Sequence, residues 1–133
     1  MSDLIGRLQF NADGHVPAVI QDAQSGDVLT LCYMNKAALE KTLEAGYVYV
    51  YRRSLGKLML KGETSGHTQK VRSVHLDCEG KSLLIRIDQK VAGCHKGYFS
   101  CYFEGFDPKK GFSVTAKRVF DPDAVYKEGQ KKP

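Results

Sequence analysis

Three cysteines and two histidines are the residues of this chain best suited to chemistry. Cys94 and Cys101 bracket the segment GCHKGYFSC, with His95 beside the first of them, and Cys78 lies upstream in DCEG. His67 closes the segment KGETSGH. The spacing is neither the CxxC of a zinc ribbon nor that of a thioredoxin-like pair. A thiolate is a soft metal ligand, and zinc takes sulfur at about 2.3 Å in tetrahedral geometry. Three protein ligands leave a fourth position open, which marks a catalytic site. Spacing alone leaves two readings open, a zinc site or unrelated thiols. If zinc is bound, three thiolates overcompensate its charge and weaken its pull on water, so a nearby general base is needed. Histidine suits that work, its ordinary pKa being about 6.5. His95 is the first candidate and His67 the second. The plainer alternatives are that His95 bonds a ligating sulfur or is a fourth ligand, and that His67 is satisfied by backbone. Cys32, inside the apolar run VLTLCYM, reads as a buried structural thiol.

The setting for these residues is a chain of 133 residues, enough for one domain with its own core. No segment approaches the roughly 18–20 apolar residues of a membrane helix, and MSDLIGRLQF lacks the character of a signal peptide. The expected location is the cytoplasm, where thiols stay reduced and clustered cysteines favour metal or catalysis over disulfides. The formal net charge is +5, with much of the excess after residue 105 in a segment ending KEGQKKP. A basic tail is weak support for nucleic-acid binding, and none is expected. Between Arg52 and Arg72 six basic residues face a single acid, Glu63. That field suits a small anionic ligand; a solvated strand face would look the same.

The elements that must position these groups are mostly strands. VPAVIQD and VLTLCYM flank AQSGD as a hairpin. NKAALEKTLEAG has helical spacing, with Asn35 as cap and Gly46 as terminator. YVYVYRR alternates with period two, and KLML is a short strand. KVRSVHLD and SLLIRIDQ form a second hairpin across CEGK, and YFSCYFEGF and FSVTAKRVF a third across DPKKG. The fold class is therefore α+β, a mainly antiparallel sheet with one helix, in a single domain. Cys78, Cys94 and Cys101 would lie at the same end of neighbouring strands, meeting within one chain or across a dimer interface.

Taken together, KGETSGH, Gln69 and Val71, DCEG and GCHKGYFSC closely resemble the phosphoribosyl-AMP cyclohydrolase family of histidine biosynthesis. The likeness runs from about residue 10 to 104. It implies an intertwined homodimer that hydrolyses the N1–C6 bond of N1-(5-phosphoribosyl)-AMP. It also implies zinc on Cys78, Cys94 and Cys101, with Cys78 from the opposite subunit. Arg53, Ser54, Lys61, Thr64 and Ser65 would bind the two phosphates, Glu63 the ribose hydroxyls or a basic side chain, and His67 would also touch substrate. Residues 1–106 would form the domain, and 107–133 a C-terminal strand with a basic, partly flexible tail.

Two features depart from the family pattern. Its magnesium-binding D-C-D-x-D arrangement reads here as Asp77, Glu79 and Lys81, so Asp77 and Glu79 are left as a weakened magnesium site. There is no tryptophan; Tyr51 and Met59 stand at the two positions, Arg52 replaces a serine and Leu55 an arginine. These changes leave room for two alternatives. One is a paralogue acting on another purine nucleotide; the other is a non-catalytic zinc module binding nucleotide or RNA.

Overall fold

The computed structural model describes residues 2–52 and 54–126. A short helix α1 (Ser2–Arg7) precedes the hairpin of β1 (His15–Asp22) and β2 (Val28–Asn35). Alternation in β1 buries Val16, Ala18 and Ile20 completely, as a strand with one face on the core requires. Helix α2 (Lys36–Ala45) follows directly. The Asn35 side chain accepts the Ala38 N–H at 2.8 Å, and Gly46 ends the helix at φ 78°. Both helix signals expected from sequence are therefore in place.

β3 (Tyr49–Arg52) and β4 (Lys57–Leu60) form a separate two-stranded ribbon. β5 (Gln69–Leu76) and β6 (Leu83–Gln89) form the second expected hairpin, and β6 docks beside β1 to complete a sheet of order β2-β1-β6-β5. Leu83, Ile85 and Ile87 of β6 are buried in its centre. The β1–β6 pairing is parallel, within a fold that is otherwise antiparallel. A third ribbon, β7 (Glu104–Asp107) with β8 (Gly111–Val114), precedes a single-turn helix α3 (Pro122–Val125). Helices α1 and α3 add to the one expected. Among the described residues no helix is long and apolar enough to cross a membrane.

The third hairpin is much shorter than YFSCYFEGF and FSVTAKRVF suggest. Residues 98–103 run as bends, because the chain doubles back to stack the Tyr98 and Phe103 rings 3.9 Å apart at 7°. This segment is tied to β2 by single bonds rather than a ladder: Cys101 N–H to Leu29 O at 2.7 Å and the Ser100 hydroxyl to Val28 O at 2.6 Å. Cys101 thus sits on a bend held against β2, not in a strand.

Thr42 joins α2 to β3. Fully buried, its hydroxyl donates to Ala38 O at 2.8 Å and accepts the Tyr49 N–H at 2.9 Å. Thr42→Val keeps the shape and leaves that N–H unpaired, at a cost of about 1–3 kcal/mol. The urea midpoint should fall with an unchanged m-value; a wild-type midpoint would contradict the role given to the hydroxyl.

Candidate active site

Two loops build the site. The first, residues 61–67, leaves β4 and folds on itself at Gly62. There φ is 87°, and a Cβ would overlap the His67 carbonyl, so the turn requires glycine. Gly66 N–H bonds Gly62 O at 2.7 Å, and the His67 N–H bonds the Ser65 hydroxyl oxygen at 3.2 Å. The second loop leaves β6 through Val91, a β-branched residue held at φ 71°. Such a backbone is strained and persists only where its surroundings enforce it. They do so here through Gly93 N–H to Phe99 O at 2.9 Å and Cys94 N–H to Tyr98 O at 3.2 Å. Lys61 bridges the loops, its ammonium donating to Gly93 O at 3.4 Å.

Between them lies a small cavity walled by Lys61, Ser65, His67, Cys94, His95 and Tyr126. A more apolar cavity adjoins it across Lys61, with Thr30, Cys32, Arg52, Met59, Glu63 and Thr64 on its walls. His67, His95, Lys61, Ser65 and Cys94 are thus brought together as expected, and Glu63 and Thr64 line the neighbouring space. Ser54 lies in the exposed turn after β3, on neither wall. Arg53 lies outside the described residues. Cys32 packs against the core as expected, although the residue is half-buried and lines a cavity. Sequence reasoning missed Thr30 and Tyr126, neither of which stands in a motif.

The electrostatics follow from burial and one cation. Burial pushes the Cys32 thiol up to about 11 against the pull of the Lys61 ammonium. Cys94 is buried and Cys101 is its neighbour, the Cys101 thiol pointing to Gly93 O at 3.9 Å. Burial raises the Cys101 thiol above its ordinary value; a hydrogen bond with Thr30 opposes this, and Cys94 adds to it. For His67 the order is burial first, then the Lys90 ammonium, and both lower its pKa. Its imidazole is therefore neutral at pH 7, with a lone pair available.

Cys78 is elsewhere. It stands exposed in the turn before β6, whereas Cys94 follows that strand. A strand of seven residues spans about 23 Å, so Cys78 and the Cys94–Cys101 pair lie at opposite ends of the sheet. The expectation of one shared end fails within a single chain, since residues flanking one strand cannot share an end. Among the described residues no three His, Cys, Asp or Glu side chains come together as a metal site. The Cys94–Cys101 pair nonetheless offers zinc two adjacent sulfurs, which is half of a tetrahedral set.

At the Asp77 turn, the expected weakened magnesium site, the carboxylates already have partners within the chain. The Asp77 carboxylate accepts the Ser82 hydroxyl at 2.6 Å and the Lys81 and Glu79 N–H groups at 2.9 and 3.0 Å. Those bonds, the Ser82 hydroxyl foremost, hold its pKa below the usual carboxylate value. Glu79 pairs with the Lys81 ammonium at 2.7 Å. Both carboxylates are thus already engaged, and the nearest cation is the chain's own.

A thiol, two imidazoles and an ammonium around one cavity, with a second thiol beside the first, are the equipment of a hydrolytic enzyme. Comparison with known proteins makes this specific. The profile of the phosphoribosyl-AMP cyclohydrolase family matches residues 30–103. The phosphoribosyl-AMP cyclohydrolase of Haloarcula marismortui is 47% identical over 119 residues, covering 90% of this chain and 96% of its own. That of Salinibacter ruber is 42% identical over 127 residues, covering 95% and 99%. A histidine biosynthesis bifunctional protein of Thermoanaerobacter pseudethanolicus is 39% identical over 126 residues, which are 95% of this chain and 58% of that protein. The chain belongs to the phosphoribosyl-AMP cyclohydrolase family, hydrolases of the histidine pathway.

Gly62→Ala tests the first loop. It sets a Cβ against the His67 carbonyl at a positive φ, and should cost about 1–3 kcal/mol in chemical unfolding. A variant as stable as wild type would contradict the close approach.

Proposed function

We propose that the protein opens the adenine ring of N1-(5-phosphoribosyl)-AMP by hydrolysis of the N1–C6 bond. The observation that carries this reading is the single cavity in which Cys94 meets His67, His95 and Lys61, beside a neighbouring space lined by Arg52, Glu63 and Thr64. Substitution at N1 makes the purine cationic and C6 electrophilic. Lys61, Arg52, Thr64 and Ser65 supply charge and hydroxyl donors for the two phosphates, and Glu63 takes the ribose hydroxyls.

Zinc would be held by Cys94, Cys101 and Cys78 of the partner subunit in a homodimer. When bound it supplies the Lewis acidity that turns water into a nucleophile near neutral pH. The chain's own groups move the protons. As the C6–O bond forms and C6–N1 breaks, one proton leaves water and one must reach N1. His67, kept neutral by its surroundings, accepts the first; His95, beside Cys94, delivers the second. A cytoplasmic setting, which keeps the thiols reduced, accords with this chemistry. The occupied Asp77 turn favours a reaction that does not need magnesium.

Purified zinc-loaded protein should change the ultraviolet absorbance of phosphoribosyl-AMP, at a rate that added Mg²⁺ leaves within about twofold. Unchanged absorbance would sink the reading, and tight RNA binding with a steep salt slope would replace it by the binding-module alternative. Cys94→Ser should remove both zinc and turnover. His67→Ala should lower kcat by about 10²–10⁴-fold.

The pH dependence has a definite sign. A base works when neutral, and the pKa of His67 is lowered from its ordinary 6.5. Activity should thus hold at pH 7 and decline only below 6.5 as the imidazole protonates. An acid limb centred above 6.5 would contradict His67 as the base.

A further inference from the structure

The chain beyond β8 does not trail away from the site. The Val119 and Phe120 N–H groups both reach Gly97 O, at 2.7 and 3.4 Å. Gly97 has φ 102°, and a Cβ there would lie 2.7 Å from the Phe120 carbonyl, so glycine permits the approach. The Arg118 guanidinium lies 5.8 Å from the centre of the Tyr98 ring. Asp121 then caps α3, accepting the Asp123 N–H at 3.0 Å, and the chain turns inward so that Tyr126, 6% exposed, joins the cavity wall.

Two contacts from this segment converge on His67. The Phe120 ring meets the imidazole edge to face, with centroids 4.6 Å apart at 78°. The Tyr126 phenol shares the cavity wall with Ser65, whose hydroxyl opposes the rise that burial gives its pKa. That same hydroxyl oxygen accepts the His67 backbone N–H at 3.2 Å. One contact thus fixes the ring, and the other braces the loop that carries it. All the contributing positions, 118–126, lie beyond the span 30–103 of the family profile, although matches to individual relatives extend through them.

We propose that residues 118–126 form a strap that positions His67, with Phe120 and Tyr126 as its positioning residues. The strap rests on the reading of His67 as a participant in the cyclohydrolase reaction. An edge-to-face aromatic contact narrows the range of χ angles open to the imidazole, and proton transfer depends steeply on such alignment. Its loss should show in kcat rather than in KM.

The test uses the full-length zinc-loaded protein. Phe120→Ala should lower kcat roughly tenfold with KM within about twofold, and Phe120→Tyr, which keeps the ring edge, should restore it. Should Phe120→Ala fail to fold, Tyr126→Phe carries the test. It keeps the ring, removes the hydroxyl, and should lower kcat by roughly three- to tenfold. The imidazole signals of His67 in nitrogen–proton spectra, assigned through His67→Gln, read the strap without turnover and should move in Phe120→Ala or in Tyr126→Phe. Wild-type kcat with unmoved signals, or a change confined to KM, overturns the strap while leaving the cyclohydrolase reading intact. Absence of turnover in wild type sinks that reading instead. The His67 signals then decide the strap alone, moved signals supporting it and unmoved ones overturning it.

Discussion

The extension of β6 sets what one copy of this chain can and cannot do. Seven residues, paired on both sides, hold the strand straight and place its flanking turns at opposite ends of the sheet. Cys78 belongs to one end, Cys94 and Cys101 to the other. No adjustment of loops spans a distance of about 20 Å without dismantling the hairpin of β5 and β6. The proposed three-sulfur site therefore calls for a second copy, in which the turn of one chain meets the loop of the other. Apolar side chains left exposed along β2 and the third ribbon fit the same proposal: Tyr33 is 54% exposed and Phe112 75%. A closed two-fold assembly would repeat each contact and produce two sites at once.

Within a single chain the site is organised by the approach of two loops and by one ammonium between them. Gly62 and Gly97 each permit a contact that a Cβ would block, the first folding the 61–67 loop back on itself and the second docking the C-terminal strap. Val91 carries its strain at the exit from β6, where the chain must turn sharply towards Cys94. Lys61 opposes the burial that pushes the Cys32 and Cys101 thiols up, so the same side chain that suits a phosphate also moderates the thiols. His67 has the reverse need, and burial with Lys90 nearby keeps it uncharged. Opposite demands on neighbouring groups are thereby met by where each stands relative to two lysines.

The elements legible in the sequence are those whose determinants are local. Asn35 and Gly46 bound α2 because a cap and a left-handed terminator act within one turn. The two long hairpins follow from alternation on either side of a short turn. The parallel contact of β1 with β6 is illegible in this way, since 60-odd residues separate the strands and neither carries a local mark of its partner. FSVTAKRVF alternates like a strand, but its pairing ends with Thr115 bonded to Phe103 O, and Val119 and Phe120 bond Gly97 O instead. At the site, His67, His95, Cys94 and Lys61 were readable from residue type and loop composition. The separation of Cys78 is not legible in this way, because strand-end positions in the sequence do not say which end of the sheet each occupies. Tyr126 reaches the cavity by tertiary docking alone, and nothing around it in sequence advertises that.

The central claim, that two chains share each metal site, is tested most directly by subunit mixing. Cys78→Ser and Cys94→Ser proteins, each unable to hold zinc at the shared site, are combined, dissociated and reassembled, and mixed dimers are verified by mass. In such a dimer one site keeps every sulfur and the other loses two. Sharing predicts that zinc and turnover return, up to about half the wild-type level per dimer. Verified mixed dimers that remain metal-free and inactive would contradict it.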